Sequence, residues 1–131
     1  MTIKSLESKT LPNQLDELAP DGSEIRLLLR TRGASMVHCT LPAGRVSLPV
    51  HHQTVEELWY FLSGEGEVWR RNDQQEAVTP VKAGTNLSIL LGTSFQFRNT
   101  GNEPLCFIII TMPPWPGCGE DVETEGKWAV K

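Results

Sequence analysis

The residues of this chain best equipped for chemistry fall in one short window, His51-His52-Gln53 followed closely by Glu57. Imidazole titrates nearest neutral pH, and burial can push a carboxyl toward the same range, so a facing histidine and glutamate can act as general acid and base. The same two groups also ligate transition metals. Successive side chains on a strand point to opposite faces, so only one of His51 and His52 should enter an interior unless a bulge turns both inward. The same alternation puts Trp59 and Phe61 on the face of Glu57. A carboxyl against such walls should have a raised pKa unless His52 or an arginine pairs with it. His52 and Glu57 are therefore the candidate catalytic pair.

The elements that must hold these side chains are short and β-like. Segments rich in Val, Ile, Leu and aromatics run from Ile25 to Arg30, Met36 to Leu41, Leu58 to Leu62, Glu67 to Arg70, Leu87 to Leu91, Phe95 to Asn99 and Leu105 to Met112. Turn-forming residues break them at Asp21-Gly22, Arg32-Gly33, Ala43-Gly44, Ser63 to Gly66, Ala83-Gly84 and Thr100 to Asn102. This pattern predicts an all-β barrel or sandwich. No segment keeps helical periodicity; the nearest, Leu11 to Leu18, is interrupted by Pro12 and stopped by Pro20, leaving room for one short helix or turn. Leu58 to Leu62 and Phe107 to Ile110 are apolar on both alternate faces, which points to a second layer or a homodimer.

Bulk properties exclude several classes. A chain of 131 residues fits one domain. Its formal net charge is -4, and Arg26, Arg30, Arg32, Arg45, Arg70, Arg71 and Arg98 are scattered, so a nucleic-acid partner is not expected. No apolar run suits a signal peptide or a membrane span, and a soluble cytoplasmic protein is expected. Cys39, Cys106 and Cys118 lack CxxC spacing and read as reduced thiols.

Two motifs then carry a family resemblance. Gly44, His52, Glu57 and Gly64 stand at the spacings of the first cupin motif, with Val50 in the place of its first histidine. A second register puts His51 and Gln53 at the paired positions at the cost of one extra residue. Gly84, Gly92 and Asn99 match the second motif, with Leu90 replacing its proline and Phe95 its histidine. Over residues 36 to 111 the chain resembles small bacterial single-domain cupins. The resemblance implies a double-stranded β-helix, or jelly-roll barrel, at 25–112, an irregular N-terminal arm at 1–24, and a Pro/Trp tail at 113–131 packed on the barrel or on a partner. Gly92 and Asn99 would then be structural.

Cupins that bind a divalent ion do so with two histidines and a glutamate of the first motif and a histidine of the second. Here the inward set is His52, Glu57, Val50 and Phe95 in one register, or His51, Gln53, Glu57 and Phe95 in the other. Phenylalanine cannot coordinate, and its ring fills the fourth ligand's place. The expectation is a small-molecule-binding cupin with no cofactor, its cavity lined by His51, Gln53, Trp59, Phe95 and Phe97. Its chemistry would be that of a metal-free isomerase, epimerase or lyase acting on a small polar, sugar-like ligand. The alternative is a dioxygenase or isomerase holding one iron, manganese, nickel or zinc ion on His51, His52, Gln53 and Glu57. A third reading makes the barrel a scaffold for an interaction carried by the tail. His38 reads as a structural histidine, Tyr60 as an outer-face or dimer-seam residue, and Arg98 as facing away from Phe95 and Phe97. The tail reads as a dimer strap more than as a substrate lid.

Overall fold

The structure, a computed structural model, describes residues 5–19 and 22–131. The start of the N-terminal arm, Pro20 and the Asp21 half of the expected Asp21-Gly22 turn lie outside the described residues. Among the described residues eleven strands follow in order: β1 (Glu17–Leu18), β2 (Glu24–Arg30), β3 (Ser35–Leu41), β4 (Val50–His52), β5 (Glu56–Ser63), β6 (Glu65–Arg71), β7 (Glu76–Lys82), β8 (Asn86–Ile89), β9 (Ser94–Asn99), β10 (Leu105–Met112) and β11 (Asp121–Glu123). They form two antiparallel sheets, β1-β2-β3-β10-β5-β8 and β11-β4-β9-β6-β7, stacked as a jelly roll. Among the described residues there is no helix, and none long and apolar enough to cross a membrane.

Alternation along each strand explains the two-layer packing. On β5 the inward residues Glu57, Trp59 and Phe61 are buried, while Leu58, Tyr60 and Leu62 on the other face are about half exposed. Trp59, Phe61, Phe95, Phe97 and Phe107 meet between the sheets with Cys39, Leu41, Val68, Ile89 and Leu105. Their rings mostly meet edge to face, as between Trp59 and Phe97 (5.5 Å, 86°), the arrangement their quadrupoles favour.

Three strands follow from context more than from pattern. β7 contains Pro80, which cannot donate to a ladder, and it is accommodated because β7 is an edge strand. β4 is too short to show a period. β11 lies beyond the prolines of the tail and takes the opposite edge of the second sheet, paired with β4. At the N-terminal end, the stretch from Leu11 to Leu18 ends not in a helix but in the small edge strand β1.

The tail is sewn to the outside of the second sheet of its own chain. Gln96, fully buried on that outer face, accepts at Oε1 from the N–H groups of Lys127 (3.0 Å) and Trp128 (2.9 Å) and donates from Nε2 to the carbonyls of Ser47 (2.9 Å) and Trp128 (2.8 Å). All four bonds open to a side-chain amide are thus made. The Arg98 guanidinium lies 4.2 Å from the Trp128 ring centre, and Lys131 exchanges two backbone bonds with Val46.

Candidate active site at the barrel mouth

The site is built where β4, β5, β10 and β11 approach one end of the barrel. Val50 lies opposite Phe95 and His52 opposite Asp121, so Val50, His52, Phe95 and Asp121 share the inner face, whereas His51 lies opposite Ser94 and Val122 on the other face. The structure therefore brings together His52, Glu57, Trp59 and Phe95. It does not bring His51 or Gln53 to them: His51 points away, and the Gln53 amide is exposed and donates to the Gly119 carbonyl. Of the two motif registers, the strand adopts the one that turns His52 inward. Phe97 belongs to the deeper aromatic core, against Trp59 and Phe107.

Glu57 is only 5% exposed and accepts two hydrogen bonds, from Trp59 Nε1 (3.0 Å) to Oε1 and from the Thr111 hydroxyl (2.6 Å) to Oε2. Burial raises its pKa above the usual carboxyl value, against the pull of the His52 charge and of these two donors. His52 is equally buried, its ring edge-on to Phe95 at 5.1 Å and to Trp115 at 5.4 Å. Its Nε2 meets Asp121 Oδ1 at 3.1 Å, while its buried Nδ1 has no hydrogen-bond partner. Burial alone would lower the imidazole pKa, but the bond to Asp121 and the charges of Glu57, Asp121 and Glu120 outweigh it, and the net direction is up.

Two parts of the tail hold this arrangement. The Trp115 ring covers His52, and the Trp115 backbone N–H donates to Ser35 Oγ (2.9 Å). Glu120 accepts from the Thr54 hydroxyl (2.6 Å) and from the N–H groups of Thr54 (2.7 Å) and Val55 (3.2 Å), fixing the loop between β4 and β5. Burial works against ionisation of Glu120, but these donors keep its carboxyl below the ordinary range. Thr111 and Asp121 escaped the sequence reading, and Trp115 entered it only as part of a Pro/Trp tail packed on the barrel or on a partner. The parity of β10 could have flagged Thr111, but nothing local announces that Asp121 returns to the face of His52. His38 lies on the outer face of β3, where burial and then the Arg26 charge lower its pKa.

The described donors do not fit a divalent ion. Val50 and Phe95 stand at two of the four ligand places, His52 Nε2 is engaged by Asp121, and both Glu57 oxygens already accept hydrogen bonds. Among the described residues, no three His, Cys, Asp or Glu side chains converge as metal ligands.

Two antiparallel sheets of this order, closed over an aromatic core with a histidine and a glutamate at one mouth, define a double-stranded β-helix protein. Residues 37–111 match the Cupin domain family, and the chain belongs to it. It is 32% identical over 116 residues to the uncharacterized protein MJ1618 of Methanocaldococcus jannaschii, covering 82% of this chain and 90% of that one. A structure described as a predicted oxalate decarboxylase from Thermotoga maritima superposes with a TM-score of 0.60 at 26% identity, covering 70% of this chain and 80% of that one. An uncharacterized double-stranded β-helix protein from Klebsiella pneumoniae reaches a TM-score of 0.71 at 22% identity, over 92% of this chain and 100% of that one.

Proposed function

We propose that this cupin binds a small polar, sugar-like molecule at the barrel mouth without a tightly held metal, and that His52 and Glu57 exchange protons with it in an isomerase, epimerase or lyase reaction. The observation that carries the reading is the buried Nδ1 of His52, which has no partner and lies within electrostatic reach of a carboxyl whose pKa burial raises. Such an atom is costly to bury unless something meets it. A bound hydroxyl supplies that partner; Glu57 then serves as proton donor, and Asp121 holds the imidazole ring in place. Entry requires Trp115 to swing aside.

Elemental analysis of the purified chain, paired with a thermal-shift screen of monosaccharides and sugar acids, tests this. Less than stoichiometric metal is expected, with at least one stabilising compound whose effect is lost in Glu57→Gln. One firmly held ion per chain, released by Glu57→Ala, would establish the metal-dependent alternative instead.

Glu57→Gln also carries a pH signature. A raised folded pKa means that the carboxyl's stabilising contribution is complete below its unfolded pKa and is lost as pH rises through the folded value. The variant should therefore be more stable than the wild type on the alkaline side, and the gap should close toward acid. Urea titrations from pH 4 to 8 would show it; a gap independent of pH contradicts the raised pKa.

We also propose that two copies pair through the outer face of the first sheet. Met36, Leu58, Tyr60 and Leu62 are exposed there, with the partly buried Ile108 and Ile110 between them in register. The second sheet hides its outer face beneath its own tail, and a contiguous exposed apolar patch of this kind is unusual on a monomer. Light scattering after size exclusion should show a dimer for the wild type and a monomer for Leu58→Asp/Tyr60→Asp. A monomeric wild type would remove the idea.

A further inference from the structure

Two arginines with no ion-pair partner among the described residues stand on β6, beside the seam where β7 and β8, the edge strands of the two sheets, are bridged by Arg70. Arg70 on β6 projects from the inner face, cross-strand from Phe95 and from Ala77. Its guanidinium donates from Nη1 to the Ser88 carbonyl (2.9 Å) and from Nη2 to the Thr79 hydroxyl (3.0 Å), both neutral acceptors. Arg71 rests with its guanidinium 5.2 Å from the Trp69 ring centre. The carboxylate nearest in register, Glu76, is engaged by Trp69 Nε1 at 2.9 Å. None of the ion pairs among the described residues includes either arginine.

Both arginines line one pocket of about 160 Å³, together with Asn72, Gln75, Ser88 and Thr93. Asn72 spends its carbonyl oxygen on the N–H groups of Gln74 (2.9 Å) and Gln75 (2.8 Å), so its NH2 group is what it has left to offer. The donors these residues bring are the Arg70 guanidinium, the Asn72 amide and the Ser88 and Thr93 hydroxyls, while Arg71, whose guanidinium lies over Trp69 on the other face of β6, adds positive charge nearby. Guanidinium geometry matches carboxylate and phosphate oxygens in pairs. A cation drawn partly out of water is costly until an anion joins it; in keeping with this, desolvation lowers the Arg70 pKa. The pocket is smaller than the roughly 300–1,000 Å³ of sites for drug-sized ligands, so a compact ion or the head of a longer molecule is what fits.

We propose that the Arg70–Arg71 pocket is a binding site for a small oxyanion, a phosphate or a carboxylate group. It shares no residue with the His52–Glu57 site, and the two readings stand or fall separately.

The test is a two-dimensional NMR titration of the full chain at fixed ionic strength, with inorganic phosphate in one arm and succinate in the other. Saturable shifts of the Arg70 and Arg71 Nε–H and Asn72 side-chain signals are expected, and the arm that saturates at lower concentration identifies the preferred oxyanion. Arg70→Gln should weaken binding at least tenfold and Arg71→Gln at least threefold, whereas Glu57→Gln should leave the phosphate affinity within twofold of wild type. Should Arg70→Gln fail to fold because it ties β6 to β8, Arg71→Gln and Asn72→Ala decide the matter. Shifts that grow linearly in both arms, or saturable binding that survives in the arginine variants, overturn the proposal.

Discussion

Trp59→Ala should cost about 3–5 kcal/mol of folding free energy, the range for deleting a large buried aromatic side chain. A domain of this kind has only roughly 5–15 kcal/mol in total, so the variant will unfold at low urea or fail to accumulate. The reason is position: Trp59 is 2% exposed and its ring meets those of Phe61, Phe95, Phe97 and Phe107, so no neighbour can collapse into the gap without leaving its own contacts. Its indole N–H also supplies one of the two hydrogen bonds of Glu57. Trp59→Phe separates the two roles, keeping most of the ring volume while removing the donor, and should cost about 1–3 kcal/mol. Urea denaturation of both variants would check this. A cost below about 1 kcal/mol for the alanine variant would mean that the core is not packed as described.

Gly64→Ala should be comparably damaging, on the order of 3 kcal/mol or more, for a reason unrelated to hydrophobic burial. Gly64 sits at φ +85°, where a side chain adds about 1–2 kcal/mol of strain. A β-carbon there would lie 2.4 Å from the Pro104 carbonyl oxygen and 2.8 Å from Leu105 Cα, backbone atoms that cannot rotate away. The tight link between β5 and β6 would have to open, pulling β10 from its place beside it. Gly33→Ala is the control, since nothing lies within 4 Å of its would-be β-carbon. That change should alter stability by less than about 0.5 kcal/mol. Equal denaturation midpoints for the two alanine variants would refute the steric argument.

Gly64 also illustrates what could be read in advance. The glycines of both motifs mark places where the backbone must turn left-handed, and Gly44, Gly64, Gly84 and Gly92 all do so. Because these constraints are local, the all-β class and the positions of β2, β3, β5, β6, β8, β9 and β10 were legible from composition and alternation. Glu57 and Trp59 were legible as inward neighbours for the same reason. The choice between His51 and His52 was not, because β4 spans only Val50–His52 and the pairing with β9 and β11 decides its face. Asp121 and Trp115 reach the site from sequence positions more than sixty residues beyond His52. Such long-range pairings leave no periodic trace. β7 was hidden by Pro80, whose presence argues against a strand until its edge position is known.

The way the tail is fastened limits how a molecule could reach His52. Downstream of β11, detaching the chain would strip the buried Gln96 amide of three of its four bonds and break the two-way pairing of Lys131 with Val46. Upstream, Trp115 is tethered through its backbone N–H to the Ser35 hydroxyl, beside Pro113, Pro114 and Pro116 and the left-handed Gly117 and Gly119. On the reading proposed above, a molecule reaching His52 must therefore part the Trp115–Ser35 bond and displace residues 113–119, while the stretch from Lys127 onward keeps its fastenings.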